Sequence, residues 1–274
     1  MAFSILTFNC FGGLTPAVFR RIAALGSQLE QSDYQLVLLQ EVQLHRHRRT
    51  ILAACPSFIA HADAPYLHCP RGGLLTLSRS PIDSSRFAEY DVQGRPYTPH
   101  LMDVLLNKGI LLTHSTIGAR SVWCVNTHLM ANYAGDYREH TRNARDQRAQ
   151  LAQLAGVIRD LPQDALILVG GDFNIPRSSW LIAEFLSDSG LTDPLAGDLR
   201  PTYRPFGAIP ARFALPIDFA LYRAPASLRL TVSADLALAE PLRLGGGQPT
   251  YLSDHIGVRL DVDAGHTITI FPEL

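Results

Sequence analysis

Nine side chains in this sequence have the types and placing to do chemistry together. Four are carboxylates (Glu41, Asp172, Asp218, Asp254), three are amides (Asn9, Asn126, Asn174) and two are imidazoles (His128, His255). They fall in six segments, each abutting an apolar run. Asn9 closes Phe3–Phe8, Glu41 follows Leu36–Gln40, and Asn126-Thr-His128 ends Val122–Asn126. Gly170-Gly-Asp172-Phe-Asn174 follows Leu166–Val169, Asp218 lies within Pro216-Ile-Asp-Phe219, and Ser253-Asp-His255 precedes Ile256–Val262. A carboxylate against such a run is costly to bury unpaired, so a cation or a donor must face it. An all-oxygen set suits Mg²⁺ or Mn²⁺ far better than Zn²⁺. Imidazoles beside it can donate to a phosphate or move protons. The combination is equipment for metal-assisted hydrolysis of a phosphate ester. Singly, each piece has a structural reading: a strand-end Asn as a turn residue, Glu41 as a first-turn helix charge, Asp254-His255 as a turn with a salt bridge. The argument rests on six of them in one chain.

The elements that must position these groups alternate. Strands are expected at Phe3–Phe8, Leu36–Gln40, Leu74–Leu77, Gly109–Thr113, Val122–Asn126, Leu166–Val169, Ile217–Tyr222, Leu228–Val232 and Ile256–Val262. A helix is expected over Ala17–Leu29, announced by Thr15-Pro16, and another over Asp136–Arg159 with a Leu151, Leu154, Val157, Ile158 stripe. Pro and Gly concentrate in Arg200–Pro216 and Leu244–Pro249, which read as long loops within one domain spanning 1–274.

Composition excludes several classes. The 274 residues carry 24 Lys+Arg against 25 Asp+Glu and are 47% hydrophobic. That balance excludes a protein that coats nucleic acid, though not a nuclease with a local field. Lys108 is the single lysine among arginines, a bias read as base composition, and it makes Schiff-base or Walker-type chemistry untenable. Cys55, His61, His68 and Cys69 match no standard zinc spacing. The first nine residues have no basic flank and too short an apolar run for a signal peptide, and no run of about 18 apolar residues occurs. The expected setting is the cytoplasm, as a monomer without stable membrane insertion.

The series Thr7-Phe-Asn9, Leu39-Gln-Glu41, Asn126-Thr-His-Leu129, Gly171-Asp-Phe-Asn174, Ile217-Asp-Phe219 and Ser253-Asp-His255 resembles the endonuclease/exonuclease/phosphatase superfamily of deoxyribonuclease-like phosphohydrolases. The segment Gly73–Ile82 is similar to the family as well. The resemblance implies an α/β four-layer sandwich, two mixed β-sheets face to face with helices outside. It also implies a Mg²⁺ or Mn²⁺ site drawing on Asn9, Glu41, Asp172, Asn174 and Asp254. By position, Asp172 orients or deprotonates the attacking water and Asn174 holds a phosphate oxygen. His128 contacts the phosphate with Asp218 supporting it, and Asp254 orients His255, the general base or transition-state stabiliser.

For the substrate, Thr127–Tyr133, the helix with Arg145 and Gln147, and Asn107-Lys-Gly109 are similar to neutral sphingomyelinases, which favours a lipid phosphodiester. The stretch Pro205–Pro216 could then serve as an apolar docking loop. A DNA or RNA nuclease is the alternative, with His45-Arg-His-Arg-Arg49 as a backbone grip; a solvated helix face is the plainer account of that run and of Arg138, Arg142 and Arg145. An inositol-phosphate or nucleotide phosphatase, or a non-catalytic binding module of the same fold, are further alternatives. The presence of Glu41, Asp172, Asp254 and His255 weighs against the last.

Overall fold

The computed structural model describes residues 2–13, 15, 17–94, 105–207, 209–244 and 249–264. Its strands form two mixed sheets. The first holds β1 (Ala2–Asn9), β2 (Tyr34–Gln40), β3 (Ala60–Ala62), β4 (Leu75–Ser78), β10 (Leu230–Ala237) and β13 (Gly257–Ala264), in the order β10-β13-β1-β2-β4-β3. The second runs in chain order through β5 (Ser84–Glu89), β6 (Gly109–Ile117), β7 (Arg120–His128), β8 (Leu166–Asp172) and β9 (Asp218–Arg223). The pairs β1–β2 and β7–β8 are parallel and the other pairings in both sheets antiparallel. A two-stranded ribbon, β11 (Leu242–Arg243) with β12 (Pro249–Thr250), stands apart.

The strand sequences explain the layering. Successive side chains on a strand point to opposite faces, so a strand apolar at every position must be covered on both. In β2, Val37 and Leu39 join a core with Val18, Ile22, Leu25 and Leu29 of α1 (Val18–Glu30) and Ile51 of α2 (His45–Ala54). Leu36 and Leu38 face the other way, into a core with Val122, Cys124, Leu166 and Leu168 of the second sheet. In β8, Ile167 and Val169 pack on Leu151, Leu154 and Ile158 of α3 (Arg142–Arg159) and on Leu181, Ile182 and Phe185 of α4 (Trp180–Ser189). Three cores between four layers are the sandwich expected from the sequence.

Several boundaries differ from expectation. The helix read from Asp136 starts at Arg142, because Thr141 caps it by accepting the Ala144 N–H, while Asp136 is engaged by Arg138. Helix α1 begins at Val18, and Pro16 lies outside the described residues. Helix α4 and strands β3, β5, β11 and β12 were not anticipated, and α2 was anticipated only as the helix face read for His45–Arg49. The start of α2 is a run of basic residues, and β5 is an exposed edge strand without apolar alternation. Cys55 and Cys69 are buried free thiols, and no zinc cluster forms among the described residues.

One polar clamp ties the first sheet to the loop before β2. Arg259 on β13 donates through both Nη atoms to Asp33 at 2.8 Å, through Nε to Asp261 at 2.9 Å, and to Ser4 Oγ on β1. Hydrogen bonds from Arg259 hold Asp33 below the ordinary carboxylate range, and they do the same for Asp261 against the opposing effect of burial. Depressed carboxylates stabilise the fold at neutral pH and lose that contribution as pH falls through their folded values. Arg259→Met is therefore expected to lower unfolding free energy by about 1 kcal/mol at pH 7, discounted for partial exposure. In urea titrations the deficit should shrink as pH falls below the ordinary carboxylate range; a deficit constant with pH would remove the clamp from the account.

Candidate active site

The same alternation that fills the inter-sheet core builds the site. Going along β8, Leu166 and Leu168 face the first sheet, and Gly170 and Asp172 continue that face. On β7 the series is Val122, Cys124, Asn126, His128; on β1 it is Ile5, Thr7, Asn9. The apolar inter-sheet layer thus turns polar at one end. Its floor is Gln40, which donates to Thr7 Oγ1 (3.1 Å) and Asn126 Oδ1 (2.9 Å), while Asn126 Nδ2 donates to the carbonyls of Leu39 and Leu75. Asn126 is thereby a buried tie between the sheets and not a group open to a ligand. Gly170 is required here: a Cβ would stand 2.8 Å from Leu38 and 2.9 Å from Thr7 across the interface.

Above this floor, strand register aligns the candidate site groups. His128 pairs with Asp172 across β7–β8, and Asp172 with Asp218 across β8–β9. From the other sheet, Asn9 Nδ2 donates to both Asp172 Oδ2 (3.0 Å) and Glu41 Oε1 (3.1 Å). Asn9 Oδ1 accepts the Phe11 N–H, so its amide nitrogen tethers the two carboxylates, the donor role that stood beside the oxygen-ligand reading. Glu41 itself adopts φ 57°, Phe11 47° and Asn174 53°, a left-handed backbone costing about 1 kcal/mol or more for residues other than Gly or Asn. Gly12 makes room for the turn at Glu41, since a Cβ there would overlap the Glu41 carbonyl oxygen. Arg21 of α1, buried, fixes the loop after β1 by donating to the carbonyls of Phe11 (2.8 Å) and Leu252 (2.6 Å).

The sequence-based pairing of acids with imidazoles needs correcting. His255 Nδ1 lies 2.9 Å from Asp218 Oδ2, and its Nε2 lies 3.7 Å from Asp172 Oδ2. Asp218, not Asp254, orients His255, and Asp218 does not support His128. The reason is topological: β9 sets Asp218 beside Asp172 on the side where the chain preceding β13 brings His255 through its bridge to Tyr203. Burial opposes charge on His255, yet the carboxylates of Asp218 and Asp172 raise its pKa to about 10. Burial likewise raises Asp172, but His255, His128 and Lys108 together pull it well below the usual range. Burial and the charge of Asp172 push Asp218 up. On the remaining side, burial, with nearby Glu41 adding to it, pushes Asp254 up to about 6 although His255 pulls the other way.

Lys108 was not among the expected site residues. It is buried, with Nζ 2.9 Å from His128 Nε2 and donating to the Leu129 carbonyl at 2.8 Å. The signal was available: it is the one lysine in a chain that otherwise uses arginine. Asn174 Nδ2 donates to the same carbonyl (3.0 Å) and faces His128 Nε2 (3.2 Å), while its backbone N–H donates to Asp172 Oδ1 (2.9 Å). Asn174 thus turns its amide nitrogen inward, the orientation a donor to a phosphate oxygen needs. Gln147 of α3, buried, and Tyr137 hold the Asn174 carbonyl from behind. Tyr203 packs its ring on His255, centroids 5.1 Å apart.

These groups line a cleft of about 500 Å³. The lining is polar at Glu41, Lys108, His128, Asp172, Asn174, Asp254 and His255 and apolar at Phe11, Leu106, Ile209, Pro210, Phe213 and Leu215. The donor atoms of Asp172, Asp218 and His255 lie within 4.8 Å of one another, the single such convergence of three or more His, Cys, Asp or Glu side chains among the described residues. Together with Glu41 and Asp254, which also line the cleft, the donor chemistry fits a hard divalent cation.

Fold and site define a phosphoric ester hydrolase scaffold. The chain belongs to the Endonuclease/Exonuclease/phosphatase family, whose model matches residues 6–255. It is 27% identical over 194 residues to an inositol phosphosphingolipids phospholipase C of Schizosaccharomyces pombe, covering 69% of this chain and 45% of that protein. This chain therefore spans less than half the length of that relative. Among solved structures, it is similar to sphingomyelinase C from Streptomyces griseocarneus (21% identity, 96% and 100% of the two chains, TM-score 0.70). It is equally similar in fold to D. rerio TDP2 complexed with single strand DNA product (17%, 96% and 99%, TM-score 0.73). No helix among the described residues is long and apolar enough to cross a membrane.

The Asp218–His255 pair depends on a buried ion pair that the sequence did not suggest. Arg177 Nε donates to Asp193 at 2.8 Å, its Nη2 donates to the Asp218 carbonyl at 3.0 Å, and its guanidinium lies 4.5 Å from the Phe219 ring centroid. Arg177→Met leaves Asp193 buried without its cation and is expected to cost about 3 kcal/mol in chemical denaturation. Arg177→Met/Asp193→Leu should recover most of that loss, because an apolar pair needs no compensation. Equal instability of the single and double variants would contradict the assignment.

Proposed function

We propose that this protein is a divalent-metal-dependent phosphodiesterase whose substrate is a lipid-borne phosphate ester. One observation carries the reading: the cleft that holds His128, Asp172 and His255 is also lined by Phe11, Leu106, Ile209, Pro210, Phe213 and Leu215. A charged ester would meet the polar groups while an acyl or sphingoid segment meets the apolar lining. The S. pombe relative, by its name a phospholipase C for inositol phosphosphingolipids, supports the same substrate class. The helix α2 run proposed as a nucleic-acid grip is largely engaged within the protein. Arg48 pairs with Asp63, Arg46 stacks on Phe19 and His47 is buried.

Glu41, Asp172 and Asp254 would hold the cation, Mg²⁺ or Mn²⁺ by the hardness of the donors, with Asn9 keeping Glu41 and Asp172 at fixed spacing. A divalent ion there supplies Lewis acidity toward a phosphoryl oxygen and eases deprotonation of water. The protein does the rest. Lys108, His128 and Asn174 present donors and positive charge to the phosphoryl oxygens, where negative charge grows in the transition state. His255 owes its raised pKa to the charge of Asp218, Asp172 and Asp254. A cation held by Asp172 and Asp254 would offset part of that charge, and Nε2 would then accept the proton of an attacking water, with Asp218 at Nδ1 stabilising the imidazolium.

The test is product release from sphingomyelin and inositol phosphosphingolipid in detergent, plasmid DNA, RNA, bis-p-nitrophenyl phosphate and p-nitrophenyl phosphate, with Mg²⁺ or Mn²⁺ and with chelator. Lipid hydrolysis lost with chelator is expected. Glu41→Ala and His255→Ala should each lower kcat at least about 100-fold. Wild-type turnover by either variant would contradict the site, and turnover of nucleic acid alone would contradict the substrate class.

A further inference from the structure

The apolar wall of the cleft continues onto the outer surface along residues 203–216, of which position 208 lies outside the described residues. This strap is a built element. Its inner side is anchored by polar contacts: the Arg204 N–H donates to the Asp254 carbonyl (2.7 Å), Arg204 Nη1 to the His255 carbonyl (3.1 Å), and Thr202 Oγ1 accepts the N–H groups of Ile217 and Asp218. Aromatic contacts fasten it over the site, with Phe206 stacked on Phe11 at 5.3 Å and Phe213 pressed against Gly135, where a Cβ would stand 2.8 Å from the ring.

With the strap so fixed, its outward apolar groups stay in water: Phe206 is 50% exposed and Ile209 39%, and Tyr133, which shares the cleft lining with Ile209, is 52% exposed. A cluster of large apolar groups at a cleft mouth marks an interaction surface, unlike single exposed residues. Charge selects its occupant. From Leu199 to Ile217 the chain has Arg200, Arg204 and Arg212 and no acidic residue. Arg200 is committed to Asp198 and Asp235, and Arg204 to internal carbonyls, which leaves exposed Arg212 beside Phe213 as the outward cation. One arginine among apolar and aromatic groups suits an anionic lipid interface; tracking a nucleic-acid backbone calls for a series of cations.

We infer that Phe206, Ile209, Tyr133 and Arg212 form a docking face for an anionic lipid surface at the mouth of the cleft, an inference that rests on the lipid phosphodiesterase reading. The experiment is co-sedimentation of the full chain with phosphatidylcholine vesicles, with and without phosphatidylserine, beside hydrolysis of bis-p-nitrophenyl phosphate in solution. Binding to the phosphatidylserine vesicles is expected, with Phe206→Ser and Arg212→Glu each lowering the vesicle partition coefficient at least about fivefold. Both variants should hydrolyse the soluble ester within twofold of wild type, which also shows that they fold. Absence of wild-type binding, or unchanged binding by the variants, overturns the docking face. Loss in Arg212→Glu alone also overturns it, since that marks a purely electrostatic surface of the kind a nucleic acid uses. Vesicle binding without hydrolysis of any ester would instead sink the enzymatic reading, so the two failures are distinguishable.

Discussion

A single amide holds two like charges in place: Asn9 Nδ2, donated at about 3 Å to Glu41 on one side and Asp172 on the other. Two carboxylates that share a donor repel each other, and that repulsion persists unless positive charge is brought to them. Everything around the amide is arranged to keep this geometry rigid. The Asn9 oxygen is fixed by the Phe11 N–H, the Asn9 carbonyl accepts from Ser253, and Arg21 ties the loop carrying Phe11 to Leu252. Because Asn9 belongs to one sheet and Asp172 to the other, the inter-sheet packing of Leu36, Leu38, Leu166 and Leu168 sets the spacing of these polar groups. Stability and site geometry are therefore the same property of the sandwich interface.

The charges around this amide are polarised. Lys108, His128 and His255 lie beside Asp172 and hold it ionised, whereas Glu41 and Asp254 form a negative edge where burial and mutual charge push Asp254 up. A phosphate ester needs both kinds of surface: donors for its oxygens, and a cation to offset the charge that develops on them. Fixed dipoles and charges that need no rearrangement during reaction are the most effective form of such stabilisation. The left-handed backbone at Phe11, Glu41 and Asn174 fits this picture, since local strain is retained where packing over-determines it.

Much of this was legible in the residues. The period-two spacing of Thr7 with Asn9, Asn126 with His128 and Gly170 with Asp172 already puts polar groups on one face at strand ends, and hydrophobic strands buried on both faces require layers on each side. What could not be read were contacts across the sheet. Nothing local says that Asp218 rather than Asp254 meets His255, because that choice follows from the pairing of β9 with β8. Lys108 was visible as an oddity of composition but reaches the site only through the fold of β6 beside β7. Asn126 had the same pattern as the neighbouring candidate site residues and is an inter-sheet tie, since Gln40 and two carbonyls satisfy it.

The central claim is that the Glu41–Asp172–Asp254 edge is a cation site held ready by the sandwich. Thermal unfolding followed against Mg²⁺ or Mn²⁺ concentration tests it without any substrate, because an ion that binds only the folded state raises Tm by mass action. A rise of a few degrees at saturating ion is predicted for the wild type, and Glu41→Gln, which removes one charge at constant shape, should melt higher without the ion and lose most of the rise. A Tm indifferent to both ions, or a full rise retained in Glu41→Gln, would contradict the account.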